Sequence, residues 1–280
     1  MEGSVLREFI LRGLAEDIGD GDHSSLACIP TEATGNAKLI IKEKGVLAGI
    51  RVATEIFSAI DNNLNIRVLI KDGTEVNPGD IAFFISGRQQ SILKAERLTL
   101  NIMQRMSGIA TSTREYTEKL KGFKTRILDT RKTTPGFRFL EKEAVRIGGG
   151  INHRMGLYDM IMLKDNHIDY AGGIEKAVLR SHEYLMKHNL NLKIEVEARN
   201  IEDVRKIVAT GLADRILLDN FNVDDTLKAV KVIDGRCETE SSGGITLATI
   251  RSYAECGVDF ISVGALTHHI KSLDMSLKAF

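Results

Sequence analysis

Cationic side chains gather in one stretch of an otherwise neutral chain. The 280 residues include 38 Lys and Arg against 38 Asp and Glu. Arginine binds a carboxylate or phosphate through a planar fork, and lysine supplies a point charge. The grouping therefore predicts a ligand with several negative charges, the alternative being a solvated charged loop. The residues concerned are Arg131, Lys132, Arg138, Arg146, Arg154 and Lys164, with His153 and His167.

The second part of the chain alternates between two patterns. Short β-branched or apolar runs occupy 125–130, 159–166, 193–198, 215–220, 237–244 and 260–265. Helical patterns between them cover 173–188, 200–210, 222–233 and 246–256. This alternation predicts an α/β fold with parallel strands and helical crossovers. Six such units are fewer than the eight of a closed barrel, so an incomplete (β/α) barrel or a doubly wound sheet fits.

In a barrel of this kind the carboxyl ends of the strands form one face, where functional groups collect. Two carboxylates there, Glu197 and Asp219, could stabilise a cationic transition state or hold Mg²⁺ beside a polyphosphate. Glu195 lies two residues before Glu197, and we expect it to be an internal ion-pair partner. The glycine-rich turns at 147–150 and 241–244 could let backbone N–H groups converge on an anion.

The first part of the chain has a different pattern. Residues 4–17 have the apolar spacing of an amphipathic helix. Strand-like runs cover 37–43, 64–70 and 81–87. Ile92 to about Leu120 predicts one long helix or two, with an interruption near Ser107 and Gly108. We predict an N-terminal α/β domain at 1–108, a catalytic barrel at 109–267, and a C-terminal segment, 268–280, that packs back on the first domain.

Composition excludes several classes of protein. The balanced charge argues against a general nucleic-acid or membrane-surface binder. No apolar run approaches the roughly 20 residues of a membrane-spanning helix. The N-terminal residues 1–13 lack the long apolar core of a signal peptide. Cys28, Cys237 and Cys256 are odd in number and widely spaced, which predicts neither a disulfide framework nor a zinc site and indicates a reducing cytoplasm.

Several blocks of the sequence together form a specific pattern that covers nearly the whole chain. The blocks are "EDIGDGD", "ERLTLNIMQRMSGIAT", "LDTRKTTPGFRFLEKEAVRIGGGINHRMGLYDMIMLKDNH", "IEVEA", "ILLDN", "ESSGGI" and "GVDFISVGALTH". In content and order they resemble a known family, the quinolinate phosphoribosyltransferases, also called nicotinate-nucleotide pyrophosphorylases (carboxylating). The resemblance implies a type II phosphoribosyltransferase fold, with an N-terminal α/β sandwich followed by an open barrel of about six to seven strands.

The resemblance also implies a reaction. Enzymes of this family are glycosyltransferases of NAD biosynthesis. They transfer the phosphoribosyl group of phosphoribosyl pyrophosphate to quinolinate, with Mg²⁺, and release nicotinate mononucleotide, pyrophosphate and CO₂. A cytoplasmic homodimer with a shared active site is implied as the minimal unit, and assembly beyond the dimer is left open.

The family's pattern further implies roles for individual residues. Glu197 and Asp219 would face the ribose and Mg²⁺, and both are expected to be catalytic, as are Lys132 and Lys164. Arg97 would come from the partner subunit. The quinolinate carboxylates and the pyrophosphate would be surrounded by Thr130, Arg131, Lys132, His153, Arg154 and Lys164. The terminal phosphate of the sugar would be received by Ser241, Ser242, Gly243, Gly264, Ala265 and Leu266.

Three alternatives compete with this interpretation. Lys164 ends a barrel strand, as the lysine of a Schiff-base aldolase would, but the nearby arginines favour an anionic ligand. Residues 71–87 resemble a hairpin of lipoyl-type carrier domains, yet no lysine lies in an obvious modification turn. A paralogue of the same fold, linked to molybdenum transport, is disfavoured by the complete set of cations. A type I phosphoribosyltransferase is excluded because the acids at 223–225 lack a following Thr-Gly turn.

Overall fold

The structure, a computed structural model, describes residues 2–280. Elements are numbered in chain order. The helices are α1 (Glu2–Ile18), α2 (His23–Cys28), α3 (Ile50–Ile60), α4 (Gln89–Lys119), α5 (Arg138–Gly148), α6 (Asp165–Ala171), α7 (Ile174–His188), α8 (Ile201–Thr210), α9 (Val223–Ile233), α10 (Ile250–Glu255) and α11 (Ala265–His268). The strands are β1 (Thr34–Ile41), β2 (Gly45–Val46), β3 (Asn65–Val68), β4 (Glu75–Val76), β5 (Ile81–Arg88), β6 (Arg126–Leu128), β7 (Ile161–Leu163), β8 (Ile194–Ala198), β9 (Arg215–Asp219), β10 (Glu238–Ser242), β11 (Phe260–Ser262) and β12 (Met275–Ala279).

The described residues form two compact units. The first contains residues 2–112, 135–148 and 270–280, and the second contains 113–134 and 149–269. These units are defined by contacts within the folded chain. The domain boundaries at 108 and 267, which concern independently folding segments, stay a prediction.

The first unit is built on an antiparallel sheet with the strand order β12-β1-β5-β3. The last strand pairs with the first, in a register that runs from Ala37 opposite Ala279 to Ile41 opposite Met275. Helix α3 buries an apolar face formed by residues at helical spacing, Val52, Ala53, Ile56 and Phe57. The Phe57 ring meets Phe83 of β5 edge-on, with 6.0 Å between ring centroids. The core of this unit therefore lies between α3 and the sheet.

Helix α4 is continuous, so the interruption predicted near Ser107 and Gly108 is wrong. The Ser107 hydroxyl accepts the N–H of Ala48 at 2.9 Å and donates to the Ala48 carbonyl at 3.1 Å. A Cβ added at Gly108 would lie 2.2 Å from the Lys271 carbonyl oxygen. The two small residues thus allow other segments of the first unit to pack closely against α4, and the helix continues through them.

Replacing Gly108 with alanine should destabilise the protein by about 1–3 kcal/mol, because the added methyl group overlaps backbone. The cost of this overlap must be larger than the gain of about 1 kcal/mol that alanine, compared with glycine, brings to a helix interior. Gly3→Ala in α1 is the matched control, since a Cβ there meets nothing within 4 Å. Urea unfolding should show a loss for Gly108→Ala and no loss for Gly3→Ala; equal stability of the two variants would contradict the packing argument.

The second unit is a parallel sheet with the strand order β6-β11-β10-β9-β8-β7. Helices α7, α8 and α9 connect successive strands, as the sequence predicted. Within residues 2–280 the end strands β6 and β7 do not pair, so the barrel is open. A single parallel bridge between Leu128 and Ile151 extends the β6 edge by one residue. The α/β class and the open barrel are confirmed.

The strands are shorter than the apolar runs that predicted them. Residues 159–166 form strand only at Ile161–Leu163, because Lys164 already caps α6. Helix α10 begins at Ile250, after a turn in which the N–H of Thr246 donates to the Thr249 hydroxyl at 3.0 Å. Among residues 2–280, no helix combines the length and apolarity that crossing a bilayer requires.

Candidate active site

A cavity of about 800 Å³ lies at the carboxyl ends of the parallel strands in the second unit. Residues that end or directly follow all six strands contribute to its lining. The predicted site residues that line it are Thr130, Arg131, Lys132, His153, Arg154, Lys164, Glu197, Asp219, Ser242, Gly243, Gly264 and Ala265. The fold thus brings together residues that span more than a hundred positions of sequence, as expected where parallel strands end at one edge.

Three of the site residues that the resemblance implies are absent from this lining, as are Arg138, Arg146 and His167 of the cationic stretch. Arg97 is exposed on α4, in the first unit, while Ser241 and Leu266 are buried beneath the cavity-lining residues next to them in sequence. Their predicted roles stay predictions. The glycine-rich run 147–150 does not line the cavity either. It lies at the carboxyl end of α5, where a helix presents carbonyl oxygens and not the N–H groups that an anion needs.

Other residues line the cavity without having been singled out from the sequence as site residues. They are Met162, Leu217, Asn220, Glu240, Ile245, Thr246, Ser262 and Val263, while Gly244 belongs to the glycine-rich turn 241–244 that the sequence indicated. His268, which follows the last strand of the barrel, lines it as well. The two-residue alternation of side chains in a β-strand could have indicated Glu240. This residue lies two positions before Ser242 on β10, so both side chains are on the same face of the strand.

Arg131, Lys132 and Lys164 have no carboxylate within ion-pair distance among residues 2–280. In a second cavity, at the amino ends of the strands, two lysines do have carboxylate partners. There Lys124 pairs with Asp259 at 2.9 Å, and Lys193 pairs with Glu238 at 3.1 Å. The three cations of the carboxyl-terminal cavity are therefore available to an anionic ligand.

The loop after β6 is held in place by contacts to its backbone. The Thr267 hydroxyl donates to the Lys132 carbonyl at 2.8 Å, and the Lys132 N–H donates to the Thr130 hydroxyl at 3.1 Å. The Lys132 side chain runs over Gly264, where a Cβ would come within 3.0 Å of its Cδ. Glycine at position 264 therefore leaves the room that the lysine stem occupies.

Asp129, the buried residue after β6, fixes the segment that carries Arg154. Its carboxylate accepts the His153 N–H at 2.9 Å and the Asn152 side-chain amide at 2.5 Å. Arg154 is 8% exposed. Burial lowers the pKa of its guanidinium, and the charge of Arg131 nearby lowers it further. An arginine stays protonated at neutral pH even so, which places two repelling cations side by side in the cavity wall.

His153 is tied to carboxylates in the barrel interior. Its Nε2 lies 3.0 Å from Glu195 and 3.5 Å from Glu240, and Arg215 lies 3.0 Å from Glu240. The predicted internal ion pair of Glu195 is confirmed. Burial alone would lower the pKa of His153, but the bonds to Glu195 and Glu240 outweigh it and raise the pKa to about 9.

One contact disfavours protonation of both ring nitrogens of His153. The N–H of Arg154 lies 2.6 Å from Nδ1, which favours a ring nitrogen without a proton at that position. The two carboxylates have the stronger influence because both are almost fully buried against the ring. The barrel interior thus contains two carboxylates, Glu195 and Glu240, that contact His153 and Arg215.

Glu197 and Asp219 form the acidic side of the cavity. Burial raises the pKa of Glu197, the charge of Asp219 raises it further, and Lys164 partly offsets both effects. Both carboxylates line the same cavity, and oxygen ligands of this kind suit a hard cation such as Mg²⁺. The turn that follows β10 has positive φ at Gly243 (+96°) and Gly244 (+62°), conformations that glycine adopts without strain.

Glu197→Gln should stabilise the ligand-free protein near neutral pH. The raised pKa means that ionisation of Glu197 lowers the free energy of unfolding. This loss of stability appears as the pH rises above the ordinary pKa of glutamate, and it is absent in acid. Glu238→Gln is the matched control with the opposite sign, because Lys193 and Arg215 lower the pKa of Glu238 against the effect of burial. Thermal unfolding at about pH 7 should therefore show a gain for Glu197→Gln and a loss for Glu238→Gln, both disappearing near pH 3. A loss for Glu197→Gln at neutral pH would show that its charge stabilises the fold.

Fold and site together define a class of protein: an open-barrel α/β enzyme that gathers cations at its strand ends to bind an anionic substrate. Family models of the N-terminal and C-terminal domains of quinolinate phosphoribosyl transferase match residues 22–107 and 109–278. The chain belongs to the quinolinate phosphoribosyltransferase family.

Full-length relatives support this membership. A chloroplastic nicotinate-nucleotide pyrophosphorylase (carboxylating) of Arabidopsis thaliana is 46% identical over 288 residues, which cover 98% of this chain and 82% of that protein. A mitochondrial quinolinate phosphoribosyltransferase (decarboxylating) 2b of Nicotiana tabacum is 44% identical over 289 residues, with the same coverage. The crystal structure of NadC from Streptococcus pyogenes superposes with a TM-score of 0.92 at 37% identity, over 98% of this chain and 96% of that one.

Proposed function

We propose that this protein transfers the phosphoribosyl group of phosphoribosyl pyrophosphate to quinolinate, with loss of CO₂, and forms nicotinate mononucleotide and pyrophosphate for de novo NAD biosynthesis. The observation that carries the proposal is the cavity of the second unit. It presents Arg131, Lys132 and Lys164 without internal ion-pair partners, opposite the carboxylates Glu197 and Asp219. Membership in the family supplies the identity of the substrates.

Both substrates are anions, and they must approach each other to react. Quinolinate is a dicarboxylate, and the sugar donor carries a phosphate and a pyrophosphate. Fixed cations offset the repulsion and hold the reacting atoms in line. Arg131 and Arg154 suit the carboxylates, with Thr130 and His153 beside them. Lys132 and Lys164 suit the pyrophosphate as point charges, and Arg97 of the partner subunit would complete the site.

The acidic side of the cavity suits the sugar. As pyrophosphate departs, the anomeric carbon becomes positive, and Glu197 and Asp219 stabilise that charge. The same two carboxylates would hold Mg²⁺, since they are oxygen donors that line one cavity. When bound, the ion neutralises charge on the pyrophosphate leaving group. A cation near the quinolinate ring would likewise stabilise the electron pair left on carbon when CO₂ departs.

The two short turns after β10 and β11 suit the terminal phosphate of the sugar. Backbone N–H groups of such turns bind anions when glycine removes the side chain. Ser242, Gly243, Gly264 and Ala265 line the cavity there, and Ser241 and Leu266 lie next to them in sequence. These residues form the proposed phosphate subsite.

We further propose a cytoplasmic homodimer with a shared active site and with no nucleic-acid or membrane partner. Arg97 is exposed on α4 of the first unit, where a neighbouring subunit could reach it. The cysteines Cys28, Cys237 and Cys256 are free thiols, in keeping with a reducing compartment.

An assay of the purified protein with quinolinate, phosphoribosyl pyrophosphate and Mg²⁺ tests the reaction. We expect CO₂ and nicotinate mononucleotide in equal amounts. Nicotinate is the matched control acceptor, because it lacks the carboxylate that leaves as CO₂, and it should not be converted. Conversion of nicotinate in place of quinolinate, or release of neither product, would overturn the proposal.

A further inference from the structure

Asn220 lies at the carboxyl end of β9, directly after Asp219, and lines the cavity. Its φ of +55° is in the left-handed region, which few residues other than glycine and asparagine adopt readily. Its N–H donates to the Ser242 carbonyl at 2.9 Å. The main chain after β9 is therefore tied to the turn after β10, one residue beyond the end of the strand ladder.

The side chain of Asn220 makes a second connection between the same two places. Its Nδ2 donates to Asp219 Oδ2 at 2.7 Å. Its Oδ1 lies against Gly243, where an added Cβ would be 2.1 Å from that oxygen. Glycine at 243 thus leaves room for the amide, which fits between the acidic residue and the turn.

We propose that Asn220 is a positioning residue that fixes the Asp219 carboxylate relative to the Ser242–Gly243 turn, so that the cavity fits a ribosyl ligand with a terminal phosphate. This inference rests on the proposed function and deepens it. A neutral amide suits this task because it orients one oxygen of Asp219 without cancelling its charge. A lysine or arginine in its place would neutralise the carboxylate that the reacting sugar requires.

Asn220→Gly tests the inference, because glycine keeps the left-handed backbone and removes only the amide. We expect the KM for phosphoribosyl pyrophosphate to rise about tenfold or more, the loss typical of a hydrogen bond to a charged group, while the KM for quinolinate stays unchanged. Asn220→Asp, nearly the same shape, should be worse still because it places a second negative charge beside Asp219. Asn189→Gly is the matched control. Asn189 has the same left-handed conformation (φ +51°) after α7 and lies outside the cavity, so both KM values should be those of the wild type.

Two kinetic results would overturn the role of Asn220: an unchanged KM for the sugar donor in Asn220→Gly, or an equal rise in both KM values. If the wild type itself makes no nicotinate mononucleotide, the proposed function fails on its own. Calorimetry with ribose 5-phosphate then decides the inference separately. Weaker binding by Asn220→Gly than by wild type supports it, and equal binding, or no binding by the wild type, overturns it.

Discussion

The Arg131→Ala variant is expected to lose turnover of quinolinate and phosphoribosyl pyrophosphate, with kcat/KM falling by about a thousandfold. Lys164→Ala should show a loss of the same order. Neither side chain has an ion-pair partner among residues 2–280, so each is free to bind substrate. Removing either leaves substrate charge unbalanced in the cavity. The unfolding temperature should stay close to that of the wild type, since no internal ion pair is broken.

Lys124→Ala is the matched control for these two variants. Lys124 lies at the amino ends of the same strands and pairs with Asp259 at 2.9 Å. Its removal deletes one positive charge from the same barrel but none from the proposed site, so kcat/KM should be unchanged. Steady-state kinetics and thermal unfolding of the three variants make the comparison. Activity like that of the wild type in both Arg131→Ala and Lys164→Ala would remove the site assignment.

A mixture of two inactive variants, Arg97→Ala and Arg154→Ala, is expected to recover activity. If Arg97 of the partner subunit completes each site, a mixed dimer has one site with both substitutions and one site with neither. With random reassembly about half the dimers are mixed, so activity should return to about a quarter of the wild-type value. The measurement is turnover after the two proteins are unfolded together and refolded, or coexpressed with different tags.

The control for this experiment is a mixture of Arg131→Ala with Arg154→Ala. These residues lie in one cavity of one chain, so we expect every site in that mixture to contain at least one substitution. Its activity should stay at the level of the separate variants. Recovery in the control, or no recovery with Arg97→Ala, would contradict an active site shared between subunits.

The polar strand ends of the site were predictable because the rule that places them is local. Arg131, Lys132, Lys164, Glu197 and Asp219 each end or follow an apolar run, and parallel strands deliver such residues to one edge. Their convergence on one cavity needs only the alternation of strand and helix, which the sequence displays clearly.

The interior partners of His153 could be predicted only in part. Glu195 was expected in an ion pair because it alternates with apolar residues on β8. Glu240 and Arg215 come from two other strands, and their meeting depends on the stagger of the sheet, which no local pattern encodes. Asn220 is a similar case, since its role depends on the space that Gly243 leaves across the strand ends.

The first unit shows where local patterns mislead. Ser107 and Gly108 have the composition of a helix break, yet both serve packing between distant segments. Helix α5 was not predicted from the sequence. Its Glu141 is fully buried and pairs with Arg105 of α4 at 2.6 Å, a contact between residues far apart in sequence. The conformation at such positions depends on contacts with residues distant in sequence, and helix propensity does not reveal those contacts.

The central claim is that cations from separate strand ends bind two ligands that repel each other. Isothermal titration calorimetry of quinolinate, with and without pyrophosphate and Mg²⁺, tests it most directly in wild type, Arg131→Ala and Lys124→Ala. We expect the wild type and Lys124→Ala to bind quinolinate with an affinity that falls as salt is added. Arg131→Ala should lose most of that affinity. Quinolinate binding that is absent from the wild type, or insensitive to both salt and the Arg131 substitution, would contradict the account.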